Sequence, residues 1–287
     1  MEFHDINQEL QSYRKKRTIW GCVIPISFVT FFISSIGKVS LIGALSMFVM
    51  ILSICMMCLY SSKCSKIDSD VFKKYLLPRL HEAFKEFEYN KYQGIDRTII
   101  KNLKFIDSGN RIKISDNIQG YYRDVSFVQS GVLCEYETRD SDGDTHTETT
   151  FAGRVIILGV SMFSDEAMID IISHNNKKTS RKKFPLRKVT LNKEIENYYD
   201  IYVSCDGLSL SEKFLDHLTM MAKSFPYYDI NVRIEKDRIY IAIGNIERKA
   251  YSLESIGKLN KENLDMLIKK DSYFITNTIS SILDGEE

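Results

Sequence analysis

The chain lacks every catalytic signature that spacing alone would reveal. Neither GxGxxG nor GxxxxGK[ST] occurs, which excludes the common glycine-rich phosphate loops. None of the histidines, His4, His81, His146, His174 and His217, sits in an HExxH frame, and Ser130-Gly-Val-Leu-Cys134 is not a nucleophile elbow. Charge of one sign is also missing. The 39 Lys and Arg nearly balance the 38 Asp and Glu, a net charge of +1, so no global field draws the protein to nucleic acid or to acidic substrates. Cysteine is scarce where it would staple a fold. Cys22, Cys55, Cys58 and Cys64 lie in or beside an apolar block, leaving Cys134 and Cys205 elsewhere, so there is no disulfide framework and the pattern fits a reducing cytosol. Cys55-Met-Met-Cys58 has CxxC spacing, but within an apolar run soft packing is the simpler reading. No cofactor is expected.

What the sequence has in quantity is long hydrophobic runs. Ile19–Ile36 gives 18 residues without charge and Val39–Tyr60 gives 22 more, interrupted by Gly37-Lys38. As helices these runs reach roughly 27 and 33 Å, against a hydrocarbon core of about 30 Å. Backbone crossing lipid must satisfy its own hydrogen bonds, so residues 18–62 are expected to form a transmembrane helical hairpin, with Pro25 as a tolerated kink. Trp20 and Tyr60 suit the interface. Arg14, Lys15, Lys16 and Arg17 precede the first run, and Lys63, Lys66, Lys73 and Lys74 follow the second, whereas the turn carries Lys38 alone. The positive-inside rule then puts both termini and the bulk of the chain in the cytoplasm, on a multi-pass protein of the cell membrane.

Around the hairpin the fold class reads as α+β. Residues 1–17 suggest a short amphipathic helix carrying Phe3, Ile6, Leu10 and Tyr13. Asp68 to about Tyr92 reads as a long helix, capped at Asp68 or Ser69, with Phe72, Leu76, Leu80, Phe84 and Phe87 at helical spacing and Pro78 as a kink or break. From 95 to 160 the period shifts to alternation: Arg111–Ser115, Ile118–Val128, Leu133–Thr138, Thr145–Phe151 and Arg154–Val160 read as an antiparallel meander, with Gly109, Gly120, Gly131, Gly143 and Gly153 as punctuation. Ser164–Ser173 reads as a short helix.

The last third is expected to contain a turn of helix over Asn192–Asn197 and a strand over Tyr199–Cys205. Ser209-Leu-Ser-Glu212 then reads as a capping box opening a helix to about Ser224. A hairpin of Asp229–Ile234 and Arg238–Ile243 and a terminal helix, Lys261–Leu283, complete it. The expected organisation is therefore an N-terminal segment 1–17, the hairpin 18–62, a helix plus meander over 63–188, and an α+β subdomain over 189–287.

Two local patterns invite a binding function. Asp140, Asp142, Asp144, His146 and Glu148 alternate like metal ligands, but the twelve-residue calcium-loop pattern is absent and Asp-Gly between alternating runs is first a hairpin turn, so no metal site is assigned. The stretch 177–188 holds Lys177, Lys178, Arg181, Lys182, Lys183, Arg187 and Lys188. It reads as a solvated linker or as an anion contact, and of the two anions, nucleic acid phosphates and the inner leaflet, the tether favours the leaflet, each charge contributing about 1 kcal/mol near the surface.

The run Val189-Thr-Leu-Asn, Tyr199-Asp-Ile-Tyr-Val-Ser-Cys-Asp, Phe214-Leu-Asp-His-Leu and Ile239-Tyr-Ile-Ala-Ile, preceded by Ile118-Gln-Gly-Tyr-Tyr and Phe151-Ala-Gly-Arg, resembles the domain-of-unknown-function 3137 family. The resemblance implies two N-terminal transmembrane helices followed by a cytosolic domain in a bacterial membrane, and carries no catalytic residues with it. The expected function is a membrane-anchored binding or adaptor module that engages the bilayer and a protein partner. One alternative is a structural subunit using the hairpin as its contact, with Gly43, Ala44 and Ser46 allowing close approach. Another is an enzyme whose site is gathered only by folding.

Overall fold

The uncharged runs do form two long helices, and each extends past its run. Helix α1 spans Phe3–Ile36 and α2 spans Ser40–Val71 in this computed structural model, which describes residues 3–37, 40–161, 167–175, 186–190, 194–205, 207, 210–253, 256 and 258–284. At 34 and 32 residues they are about 51 and 48 Å long, well beyond a hydrocarbon core of about 30 Å. The segment 1–17 is thus no separate element; its described residues are the first turns of α1. Nor does a helix begin at Asp68, because α2 runs through that position and needs no cap there.

Pro78 explains how the long second helix continues. Its missing N–H and its ring would disrupt an α turn, and the chain instead widens into a π turn at Phe72–Leu76, closed by Leu77 N–H donating to the Phe72 carbonyl, before α3 at Leu77–Ala83. The expected helix to Tyr92 stops at Ala83. Lys85–Asn90 is strand β1, although Phe84 and Phe87 continue the helical spacing.

The chain divides into two units, 1–79 with 252–268, and 80–251 with 269–287. In the first, α1 and α2 pack along a seam that buries Ile6, Leu10, Ser27 and Ser34 on one helix and Gly43, Ser46, Ser53, Cys64 and Val71 on the other. The seven-residue intervals between Ser27 and Ser34, and between Ser46 and Ser53, are the repeat of paired helices. Segment 252–268 joins this unit through Asn7, whose side chain donates to the Leu259 carbonyl and accepts from its N–H, both at 2.7 Å. Arg79 adds a 2.9 Å ion pair to Asp265.

The second unit is built on one nine-stranded sheet, antiparallel throughout, ordered β1-β2-β3-β4-β9-β8-β5-β7-β6. Its further strands are β2 Arg111–Tyr122, β3 Val125–Arg139, β4 Thr145–Gly159, β5 Ile169–Ser173, β6 Arg187–Val189, β7 Tyr199–Val203, β8 Asp229–Glu235 and β9 Arg238–Gly244. The meander is therefore three long strands. The turn between β2 and β3 is Arg123-Asp124, both at positive φ, which splits the strand expected over Ile118–Val128. Gly120, Gly131 and Gly153 are not punctuation either. They lie inside strands where another backbone comes close; a Cβ on Gly153 would stand 1.9 Å from the Ile243 carbonyl oxygen. Of the helix expected over Ser164–Ser173, residues 164–166 lie outside the described residues and Ile169–Ser173 is instead strand β5, buried at all five positions between β8 and β7. The boundary expected at the basic linker does not divide the sheet, since β5 pairs with β7 and β8, and β4 pairs with β9.

Burial on both faces explains why the central strands are so continuously apolar. One face carries Ile112, Val132, Cys134, Val155, Tyr240 and Ala242, covered by α4 (Arg97–Asn102) and the residues around it, Ile95, Ile100, Leu103, Phe105 and Ile106. The other carries Ile156, Leu158, Ile171, Val232, Ile239 and Ile241, with buried side chains of α5 (Glu212–Ser224) and of α6 (Lys261–Leu283) from Lys269 onward. Tyr199 donates to the Leu218 carbonyl on α5, and His217 of α5 meets Thr278 of α6 at 3.1 Å. Helix α5 is capped by Ser211, whose hydroxyl accepts from Phe214 N–H; Ser209 of the expected capping box lies outside the described residues.

Candidate functional site: an inverted hairpin, a basic edge and an exposed arm

The helical hairpin is inverted relative to a soluble helix pair. Its seam is lined by serine and glycine, while Ile26, Phe28, Phe32, Ile33, Leu41, Leu45, Phe48, Ile51 and Leu59 stand 50–81% exposed. The seam hydroxyls need no partner on the opposite helix. Ser34 donates to the Phe31 carbonyl, Ser46 to Gly43 and Ser53 to Val49, each within its own helix. A Cβ on Gly43 would stand 3.2 Å from Ser34 Oγ. Gly43 and Ser46, two of the small residues that a contact between subunits would use, are thus buried inside the hairpin, and Ala44 alone of the three faces outward. Both helices are long and apolar enough to cross a membrane. Cys55 and Cys58 belong to the exposed surface.

Of the basic stretch, Lys177, Lys178, Arg181, Lys182 and Lys183 lie outside the described residues. Arg187 and Lys188 lie in β6, the three-residue edge strand, and are exposed. Lys188 extends its ammonium to Asp200 Oδ1 at 2.8 Å, and the same oxygen meets His174 Nε2 at 3.2 Å. Burial alone would raise the Asp200 carboxyl, but the hydrogen bonds from Lys188 and His174 outweigh it and hold the group below its ordinary value. His174 Nδ1 faces the Asn197 carbonyl at 3.2 Å, so both ring nitrogens lie against protein oxygens. This cluster fastens the edge of the sheet.

Two buried arginines act as internal ties. Arg154, 2% exposed, meets Asp271 of α6 at 2.8 Å and donates to the Glu247 and Lys249 carbonyls at 2.6 and 3.2 Å. Arg233 forms a two-bond fork with Asp170 at 2.7 and 2.9 Å, donates to the Asn102 carbonyl at the end of α4, and lies over the Phe105 ring. The first holds a helix to one face of the sheet and the second holds α4 to the other. The Cys134 thiol is pushed up to about 12, chiefly by burial, which removes it from thiolate chemistry.

Beyond the sheet, β3 and β4 continue as a two-stranded arm. β2 leaves β3 at the Arg111–Glu135 pair and β9 leaves β4 at Gly153–Gly244, while β3 and β4 stay paired to Arg139–Thr145. Residues 136–149 are exposed on both faces. The arm is braced at its base by Asn110, which donates to the Glu137 carbonyl and accepts from its N–H at 2.8 Å each, and by Arg111 paired with Glu137. At its tip the acidic pattern is spent on the turn. Asp140 Oδ1 accepts from the N–H groups of Asp142 and Asp144, and Oδ2 meets His146. The Asp144 amide first, then His146, hold the Asp140 carboxyl below its ordinary value. Among the described residues no group of three or more His, Cys, Asp or Glu side chains is arranged to hold a metal.

No protein-family model matches the chain, and no curated protein or solved structure matches it. The seam serines and the arm are features that sequence reading missed. The seven-residue intervals Ser27–Ser34 and Ser46–Ser53 were a usable signal for the first. For the second, the mixed Thr, Glu and Tyr composition of 136–149 gives no apolar face, which is what a strand pair with nothing packed against it looks like.

Proposed function

We propose that the protein is a membrane-anchored, non-enzymatic binding or adaptor module, with the hairpin crossing the cell membrane twice and both termini and the sheet-bearing unit in the cytoplasm. The observation that carries the anchoring is the inverted hairpin: hydroxyls and glycine inside, large apolar side chains outside, over the length of a hydrocarbon core. Orientation rests on the excess of Lys and Arg in residues 14–17 and 63–74. The layout implied by the resemblance to the domain-of-unknown-function 3137 family, a bacterial two-span anchor with a cytosolic α+β domain, is the same layout.

Supporting the binding role is the exposed arm 136–149, a strand pair that buries nothing of its own and is held out by Asn110 and Arg111. A bare two-stranded ribbon is marginal in water, so its braced extension favours a partner that packs on it. The test is a crosslinked pull-down of the full chain from native membranes, with retained proteins and lipids identified together. Three forms are compared: the wild type, a chain with the hairpin exchanged for an unrelated one, and a chain with 138–146 replaced by Asn-Gly. A stoichiometric protein partner kept on hairpin exchange and lost on arm shortening supports the adaptor reading. A partner lost with the hairpin and kept without the arm overturns it in favour of a structural subunit.

A further inference from the structure

A cluster of cations and tyrosines lies across the hairpin where the first apolar run begins and the second ends. Positions 10–22 of α1 and 55–67 of α2 hold six Lys or Arg and no Asp or Glu: Arg14, Lys15, Lys16, Arg17, Lys63 and Lys66. Tyr13 and Tyr60, one from each helix, lie with ring centroids 6.0 Å apart. Lys63 Nζ stands 5.1 Å from the Tyr13 centroid and 5.9 Å from that of Tyr60, and Lys16 Nζ, from the opposite helix, stands 5.7 Å from Tyr60. Two ammonium groups from different helices are thus gathered at one ring. Neither has a carboxylate three or four residues away on its own helix, the acid at this level being Glu9, which hydrogen-bonds the Tyr13 side chain, and both ammonium-bearing side chains are exposed. Beside them, half-buried Arg14 keeps its Nη2 shielded from water with no hydrogen-bond acceptor on the protein. A shielded, unsatisfied donor on a cation is costly, and rotation of the half-buried Arg14 side chain toward an anion at this level would relieve it.

We infer that this cluster is a binding site for the phosphate of an anionic phospholipid headgroup in the adjoining leaflet, with Lys16 and Lys63 as the clamp, Tyr13 and Tyr60 as the aromatic floor and Arg14 in support. The inference rests on the hairpin crossing the membrane. Given that, the leaflet surface is where charge complementarity is strongest. The tyrosine rings hold the two ammonium groups by cation–π attraction without neutralising them, so they arrive at a phosphate already gathered. The partner-facing side of the site is therefore lipid, and its selectivity is for charge, not chain length.

Trp20 is the single tryptophan of the chain and sits one turn from Lys16, which makes the test direct. The full-length protein is reconstituted in vesicles of phosphatidylcholine containing either brominated phosphatidylglycerol or brominated phosphatidylcholine, and quenching of Trp20 is measured at equal mole fractions. The site predicts preferential quenching by the anionic lipid, with relative association raised about five-fold for each cation engaged. The preference should collapse toward unity in Lys16→Gln/Lys63→Gln and persist in Lys73→Gln/Lys74→Gln. It should survive millimolar inorganic phosphate. Equal quenching by both lipids, or a preference kept in the Lys16/Lys63 variant, overturns the site while leaving the spans intact. Loss of the preference to inorganic phosphate would mean a soluble anion is the ligand and overturns the lipid assignment. Absence of quenching by either lipid would instead remove the membrane placement on which the site depends.

Discussion

Asp271→Asn should loosen the sheet out of proportion to the change of one atom. In the native chain Asp271 Oδ1 accepts from Arg154 Nη1 at 2.8 Å, and Oδ2 accepts from the Tyr251 backbone N–H. An amide has one oxygen, so one of these donors must face an NH2 group. In either orientation the Arg154 guanidinium, 2% exposed, keeps the Glu247 and Lys249 carbonyls but loses its counter-charge, and if the NH2 faces Arg154 it loses that hydrogen bond as well. If the NH2 faces Tyr251, the segment loses the anchor of a bulky residue held at φ 53°. Removing one partner of a buried pair costs about 3–5 kcal/mol, or roughly two to four powers of ten in an opening equilibrium. Hydrogen exchange of the full chain in detergent reads this directly, in peptides covering Gly153–Leu158 of β4 and Ile239–Gly244 of β9. Protection there should fall by at least about a hundredfold. The double variant Arg154→Met/Asp271→Leu, which removes both charges, should recover most of it, because a buried ion pair is often no better than apolar packing. A loss under tenfold in Asp271→Asn, or a double variant no better than the single one, would refute the view that this pair is what ties α6 to the sheet.

A buried histidine and a half-buried aspartate push the acid stability of the protein in opposite directions. His217 is driven down to about 4 by burial, so the neutral ring favours the fold above the ordinary 6.5 and that contribution is lost as pH falls toward 4; His217→Gln should flatten this loss in thermal melts at pH 7 and 5. Asp229 is raised to about 6 by burial, partly offset by Asn231, so the fold gains stability as pH falls from about 6 toward 3.8; Asp229→Asn should raise the melting temperature at pH 7 and remove the gain on acidification. Gly153→Ala should abolish soluble folding of the sheet, since its Cβ would meet a backbone oxygen at 1.9 Å, whereas Gly143→Ala, at φ 90° in open space, should cost about 1 kcal/mol; circular dichroism of the two full-length variants separates these cases. Gly43→Leu should force the hairpin apart against Ser34. Its melting temperature in detergent should fall well below that of Ala44→Leu, whose position faces outward.

How much of this was legible in the sequence depended on whether an element's polar and apolar residues alternated with its own period. Helix α6 spans the expected Lys261–Leu283, because its apolar residues recur with the helical period, and the β8–β9 hairpin lies within a residue of its expected bounds, because Asn231 and Arg233, though buried, alternate with Ile230, Val232 and Ile234. Strand β5 failed for the opposite reason. With both faces buried, Met168, Ile169 and Ile172 carry no alternation and their spacing mimics a helix turn. The stretch after the hairpin failed because Phe84 and Phe87 keep a helical interval by chance while the chain turns into β1. Arg123-Asp124 was passed over because left-handed turns are sought at glycine and asparagine, and the glycines that drew attention instead mark close backbone contacts. Of the expected lipid-contact residues, Arg187 and Lys188 fall on an edge strand where Lys188 is paired with Asp200. The cations gathered between the two helices had been read only as flanks that set orientation. Their pairing across the hairpin depends on the register of α1 against α2, which no single-helix period contains.

Membrane topology tests the central claim most directly. In a chain whose exposed Cys22, Cys55, Cys58 and Cys205 are replaced by serine, a single cysteine is placed either at Gly37, in the turn between the spans, or at Asp140, at the tip of the arm. Intact cells are then treated with a membrane-impermeant maleimide. The account predicts that the Gly37→Cys chain is labelled in intact cells and that the Asp140→Cys chain is labelled only after lysis. Labelling of Asp140→Cys in intact cells, or equal protection of both positions until lysis, would contradict it.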